Sequence, residues 1–196
     1  MPITVLILAF DGVELLDHAG PYEVFTSANG RLPEPRFAVH TASRAGGLVH
    51  SANGLAFHAD RSFADAPRAD VIVLPGGAGT LAQLDQPDVL AFVREQCAGA
   101  RIVLSICGGA RFLAALGLLD GLRATTHHNV LEWLRAHAPR CDVVEGLRYV
   151  DSGRIVTSAG VSAGIDASLH VVARVAGLDC ALATARHIEY EWSPAP

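Results

Sequence analysis

Of the four cysteines in this chain, Cys107 is placed as a nucleophile would be. It follows the apolar run Arg101-Ile-Val-Leu-Ser-Ile106 and precedes Gly108-Gly109, after which Ala110–Leu119 reads as a helix. A strand that passes into a helix through a sharp turn projects the intervening side chain from the end of the sheet. Glycines beside it let the chain turn without a Cβ clash. The positive end of the following helix favours thiolate over thiol. A free cysteine is otherwise most often a small buried hydrophobe, and Cys97, Cys141 and Cys180 are read that way.

Two further groups stand at strand ends. Gly76-Gly77 follows the buried run Val71–Leu74, and its backbone N–H groups, together with that of Gly108, could stabilise developing negative charge; a plain tight turn is the simpler alternative. Asp17 lies in Asp11-Gly-Val-Glu-Leu-Leu-Asp17-His-Ala-Gly-Pro21, after the first strand. With Pro21 as the first helical residue, Gly20 is the cap and Asp17 lies outside the helix. A carboxylate among Leu15, Leu16 and Ala19 without a capping duty is an acid/base candidate, with a local Asx turn as the alternative. Glu14 is a weaker candidate, and Glu23 is expected to be solvated in the first helix.

His127-His128 ends a short strand and faces the same rim, where a histidine can take a cysteine's proton; a hydrogen-bonded structural role is the commoner fate. Ser105 and Ser162 lack the G-x-S-x-G setting of a nucleophilic serine. There is no HExxH, so no zinc site is expected, and no GxGxxG after the first strand, so no dinucleotide cofactor is expected. All 15 cationic residues are arginine, which excludes Schiff-base chemistry and a P-loop lysine.

These residues need a sheet whose strand ends meet. Ile3–Phe10, Phe37–Ser43, Val71–Leu74 and Arg101–Ile106 read as strands. Pro21–Ala28, Pro87–Cys97, Ala110–Leu119, Val130–His137, Ser162–Val175 and Leu178–Tyr190 read as helices. Leu48–His58 reads as a hairpin with a primed turn at Asn53-Gly54, Ala124–Thr126 as a short strand, and 148–158 as a hairpin around Ser152-Gly153. Such alternation implies a mostly parallel sheet covered by helices on both faces, with ligands at the carboxyl ends of its strands.

The 196 residues suit one domain, residues 1–196, since domains cluster at about 100–200 residues. A hydrophobic fraction of 51% excludes bulk disorder, and a net charge of −5 excludes an electrostatic nucleic-acid binder. The apolar run Val5–Phe10 is too short to span a bilayer and no charged leader precedes it. The cysteine spacings fit neither a disulfide scaffold nor a CxxC site. A reduced, cytoplasmic protein without membrane or nucleic-acid partners is expected.

Several motifs together resemble ThiJ/PfpI proteins: Asp11–Phe25, Leu74-Pro-Gly-Gly77, Ile106-Cys-Gly-Gly-Ala110, Leu118–His127, Thr157–Asp166 and Ala185–Tyr190. The likeness covers nearly the whole chain, and the Leu-Asp-x-x-Gly-Pro opening looks most like the isocyanide hydratase group. The resemblance implies a flavodoxin-like sandwich, similar to class I glutamine amidotransferase domains, that forms homodimers. It also implies Cys107 as nucleophile, Asp17 as its acid/base partner, and the N–H groups of Gly77 and Gly108 at the anion site. The same domain forms the sensor half of some AraC-type regulators, but the chain as given has no room for a helix-turn-helix module. One position departs from the pattern: hydratases of this type usually carry Thr directly after the nucleophile, where this chain has Gly108.

The leading expectation is a cofactor-independent enzyme that hydrates a small isocyanide. The alternatives are an amidase, peptidase or glyoxalase-type enzyme using His127 with Cys107, and a non-catalytic redox sensor that oxidises Cys107.

Overall fold

A computed structural model describes residues 2–194. In chain order the elements are β1 (Ile3–Leu8), α1 (Leu15–Asn29), β2 (Phe37–Ser43), β3 (Gly47–His50), β4 (Ala56–Ala59), β5 (Arg61–Ser62), β6 (Val71–Leu74), α2 (Thr80–Leu84) and α3 (Pro87–Gly99). There follow β7 (Ile102–Ser105), α4 (Ala110–Ala115), β8 (Arg123–Ala124), α5 (Leu131–His137), β9 (Asp142–Val143), β10 (Tyr149–Ser152), β11 (Ile155–Ser158), α6 (Ala163–Ala176) and α7 (Leu178–His187). Short 3-10 turns occupy Cys107–Gly109 and His128–Val130.

Seven strands form one sheet in the order β10-β11-β7-β6-β1-β2-β5. All neighbours are parallel except β10 and β11. The sheet is apolar on both faces, which is why its central strands read as unbroken hydrophobic runs. In β1, Val5 and Ile7 pack with Val24 and Phe25 of α1 and Leu169 and Val172 of α6. Leu6 and Leu8 pack oppositely, with Val93 of α3 and Phe112 and Leu113 of α4. This is the mostly parallel sheet covered by helices that the alternation implied, and the flavodoxin-like sandwich that the resemblance implied. From β1 the chain runs outward to β2, then returns to place β6 on the other side of β1. That reversal opens a crevice at the carboxyl ends of β1 and β6, where open α/β sheets bind ligands.

Three expected boundaries are corrected. Helix α1 starts at Leu15, not Pro21, so Asp17 lies in its first turn rather than outside it, and Pro21 is inside the helix. Pro21 lacks an N–H, so the Asp17 carbonyl four residues back loses its helical partner; the helix survives because its Val24, Phe25 and Ala28 are buried. Helix α4 ends at Ala115, not Leu119. Gly117 takes φ +69°, its N–H donates to the Ala114 carbonyl, and the Leu118 N–H donates to the Leu113 carbonyl at 2.9 Å, a Schellman stop. In the hairpin of β3 and β4 only Gly54 of the Asn53-Gly54 pair has positive φ, +85°. The Ser51 N–H closes a wider loop onto the Leu55 carbonyl at 2.9 Å, so the turn is not of the primed two-residue kind. Among the described residues no helix is long and apolar enough to cross a membrane.

Candidate active site at the carboxyl ends of β1, β6 and β7

Three strand ends deliver the site. β7 delivers Cys107 through Ile106, with the sulfur-bearing residue at φ +55°. That left-handed conformation is uncommon for a residue with a Cβ and marks strain held by the surroundings. The restraints are visible: the Cys107 N–H donates to the Ala159 carbonyl at 3.2 Å, and Thr126 Oγ1 donates to the Cys107 carbonyl at 2.5 Å. The glycines are sterically required. A Cβ on Gly109 would run into the Leu74 carbonyl, and one on Gly76 would run into the Gly108 amide.

β1 leads into α1, whose first turn carries Asp17. This side chain is 0% exposed. Its Oδ2 accepts the Gly76 N–H at 2.9 Å, and its Oδ1 is buried with no hydrogen-bond partner. Burial dominates its chemistry, pushing the carboxyl up from 3.8 to about 7; the Gly76 N–H and the Cys107 thiol oppose that rise and Glu14 adds to it. The Gly76 N–H is therefore engaged in holding Asp17, whereas no acceptor among the described residues takes the Gly77 N–H.

The sulfur does not behave as the helix-end argument implied. Burial, then the Asp17 carboxylate, pushes the Cys107 thiol up to about 12. The N–H groups of Val161 and Gly108 point at the sulfur and pull the other way. A 3-10 turn separates the sulfur from α4, which has only 6 residues, so the dipole contribution is small against burial and a neighbouring charge. Cys107 rests as a neutral thiol beside a carboxyl that is half-ionised near neutral pH. Each shifts the other, through charge and through a side-chain hydrogen bond between thiol and carboxyl.

His127 stands farther out. Its Nδ1 accepts the Asn129 N–H at 3.1 Å, and its ring packs where a Cβ on Gly160 would lie. Burial, then His128 and Arg111, lowers its pKa, and among the described residues no hydrogen bond or charge interaction ties it to the sulfur. Glu14, whose N–H donates to the Gly76 carbonyl at 2.9 Å, faces Asp17 and His127. Glu23 is exposed and accepts from Ser27 Oγ at 2.6 Å, as expected of a solvated residue. Ser105 is buried in β7 with its hydroxyl unpartnered, and Ser162 Oγ accepts from Arg148; neither stands at the elbow. Cys97 and Cys180 are buried and Cys141 is half-buried. Among the described residues no cluster of three or more His, Cys, Asp or Glu could hold a metal ion.

Sequence reasoning missed Thr126, Val161 and Arg111. Val161 has φ +48°, a genuine outlier for a β-branched residue, and that strain turns its N–H toward the sulfur. Arg111 reaches back from α4 so that its Nη1 would stand 3.0 Å from a Cβ at position 108. A cavity of about 500 Å³, lined by Thr126, His127, Ala159 and Val161 among others, opens beside the elbow.

The family model for the DJ-1/PfpI family matches residues 3–174. The chain belongs to the DJ-1/PfpI family. Among its relatives, it is 38% identical over 199 residues to an isonitrile hydratase of Pseudomonas putida, covering 100% of this chain and 81% of the relative. It is 28% identical over 190 residues to the HTH-type transcriptional regulator GbdR of Pseudomonas aeruginosa, covering 97% of this chain but 51% of the regulator. Among solved structures, a ThiJ/PfpI family protein from Pseudomonas syringae superposes with a TM-score of 0.87 at 29% identity, covering 99% of this chain and 77% of that one. The DJ-1/PfpI assignment agrees with the motif resemblance noted from the sequence.

Proposed function

We propose that this DJ-1/PfpI protein hydrates isocyanides, with Cys107 as nucleophile and Asp17 as the group that carries protons. The observation behind it is the pairing of a strained, buried thiol with a fully buried carboxyl raised to about 7; the likeness to an isonitrile hydratase supplies the reaction.

The chemistry is redox-neutral and needs water alone. When Asp17 takes the thiol proton, its opposition to the thiolate disappears, and the Val161 and Gly108 N–H groups remain to hold the anion. The sulfur attacks the terminal isocyanide carbon, forming a C–S bond. Asp17 delivers the proton to that same carbon, which gives a thioimidate. Asp17, again a carboxylate, takes a proton from water as the oxygen adds to the carbon, and passes it to nitrogen. The C–S bond then breaks and sulfur recovers the remaining hydroxyl proton through Asp17, releasing an N-substituted formamide. Gly77 N–H is the free donor for charge that develops opposite the sulfur. Covalent catalysis replaces one difficult addition with two easier steps, and a positioned acid/base contributes about 10²–10⁴-fold.

The other readings draw less support. An amidase would need His127 against the sulfur, and His127 instead caps the turn at Asn129. A redox sensor works through an exposed, low-pKa thiolate, and Cys107 is 8% exposed with a raised pKa. The test is formamide release from simple alkyl isocyanides by the Cys107→Ala protein. The proposal requires that turnover vanish; undiminished release removes it.

A further inference from the structure

Among the described residues Arg111 is a cation without an anionic partner, standing close to Gly108, next to Cys107. Arg44, Arg61, Arg68, Arg123, Arg135, Arg140, Arg148 and Arg174 lie within ion-pair distance of carboxylates, Arg154 donates to the Cys97 carbonyl, and Arg31, Arg36, Arg94, Arg101 and Arg186, which have no ion pair among the described residues, are exposed. Among the described residues Arg111 forms no ion pair and no side-chain hydrogen bond, and its Nε is buried with nothing to accept its proton. Its guanidinium lies 5.5 Å over the Trp133 ring, and its Nη1 closes on the space that a side chain at Gly108 would fill. The acidic group that acts on it is the Cys107 sulfur, and only in its thiolate form. Glu14 acts on Asp17 and His127 and not on Arg111.

Arg111 is half-buried with its Nε sealed from solvent, and withdrawing a charge from water without a partner is costly. A planar guanidinium fork fits a carboxylate with two parallel hydrogen bonds, and the Trp133 ring 5.5 Å away gives the cation an aromatic neighbour. Gly108 leaves the guanidinium room to lie close, since a Cβ there would stand 3.0 Å from Arg111 Nη1.

We propose that Arg111 forms a carboxylate-binding subsite beside Cys107, so that the preferred substrates are isocyanides carrying a carboxylate a few bonds from the carbon the sulfur attacks. The reaction rests on the isocyanide reading above, whereas the anion subsite rests on Arg111 alone.

The two are separable by experiment. Binding of N-formylglycine and of its methyl ester to the Cys107→Ala protein is measured by calorimetry, which needs no turnover. The acid is expected to bind about 10-fold or more tightly than the ester, as a charge-assisted pair would provide. That ratio should fall to within about twofold in Cys107→Ala/Arg111→Gln and persist in part in Cys107→Ala/Arg111→Lys. Melting temperatures show whether each variant is folded, and the acid-to-ester comparison on the Arg111-intact protein stands whether or not they are. In turnover, kcat/KM for isocyanoacetate should exceed that for methyl isocyanoacetate by a similar factor, and the ratio should collapse in Arg111→Gln. Equal binding of acid and ester, or a preference that survives in folded Arg111→Gln, overturns the subsite. An Arg111→Gln variant that slows both substrates equally also overturns it, since the charge would then serve only the sulfur. Preferential acid binding without hydration of either isocyanide retires the hydratase reading and sustains the subsite.

Discussion

Asp17 and Asp166 occupy comparable places under opposite conditions. Each sits in the first turn of a long helix, α1 and α6, and these helices pack on the same face of the sheet. Asp166 Oδ2 accepts from Arg148 Nη2 at 2.5 Å, Arg148 Nε at 3.1 Å and the Tyr190 hydroxyl at 2.8 Å. Asp17 is sealed at 0% exposure, held by the Gly76 N–H and the Cys107 thiol, with no cation beside it among the described residues. A carboxylate that serves architecture is matched with donors and a cation. Asp17 lacks that matching, so burial leaves it holding its proton to about pH 7, close to the pH at which it can both give and take one.

The sharpest way to break the contrast is to neutralise each carboxyl. Asp17→Asn should lower formamide release by about 10²–10⁴-fold, while Asp166→Asn should keep turnover within a few-fold. Equal losses in steady-state assays would mean that both residues merely support the fold.

Stability should show the reverse pattern. The raised Asp17 carboxyl means that the folded protein binds a proton more tightly than the unfolded chain between pH 3.8 and about 7. Wild-type stability therefore falls as pH rises through that window, by at most about 4 kcal/mol. Asp17→Asn should melt above wild type at pH 7.5, with the gap closing as pH falls to 4; denaturant midpoints against pH check this. Asp166→Asn should instead destabilise by about 1–3 kcal/mol, measured at pH 7, because it strips charged donors of their acceptor. A smaller effect is expected at Thr126→Val, about 1 kcal/mol, from losing the hydrogen bond to the Cys107 carbonyl. Its activity should drop further than its melting temperature implies if that bond holds the strained elbow.

Much of the sheet was legible because β1, β6 and β7 are buried on both faces, and burial of that kind writes itself as an unbroken apolar run. Cys107 stood out because its Gly-Gly neighbours are demanded by backbone contacts. The start of α1 was misread because a proline rule was weighed above the packing of Leu15–Asn29, and tertiary burial overrode it. The end of α4 was misread because Gly117 lies within an apolar stretch that mimics a continuing helix. Thr126 and Val161 come from segments remote in sequence, and their roles exist only once β8 and β11 are in place. Arg111 carried a faint signal, a lone arginine four residues after the cysteine beside a missing side chain at Gly108. The sulfur's protonation was illegible, because a helix dipole can be read from sequence order whereas burial and the Asp17 charge depend on the assembled site.

The direct test of the thiol–carboxyl pairing is the titration of Cys107, followed by thiolate absorbance or pH-dependent alkylation in wild type and in Asp17→Asn. Asp17 as an anion raises the thiol, so replacing it with a neutral amide should bring the Cys107 pKa down from about 12 even as turnover falls. An unchanged titration in the Asn variant would show that carboxyl and sulfur do not share a proton, and would contradict the proposed chemistry at its root.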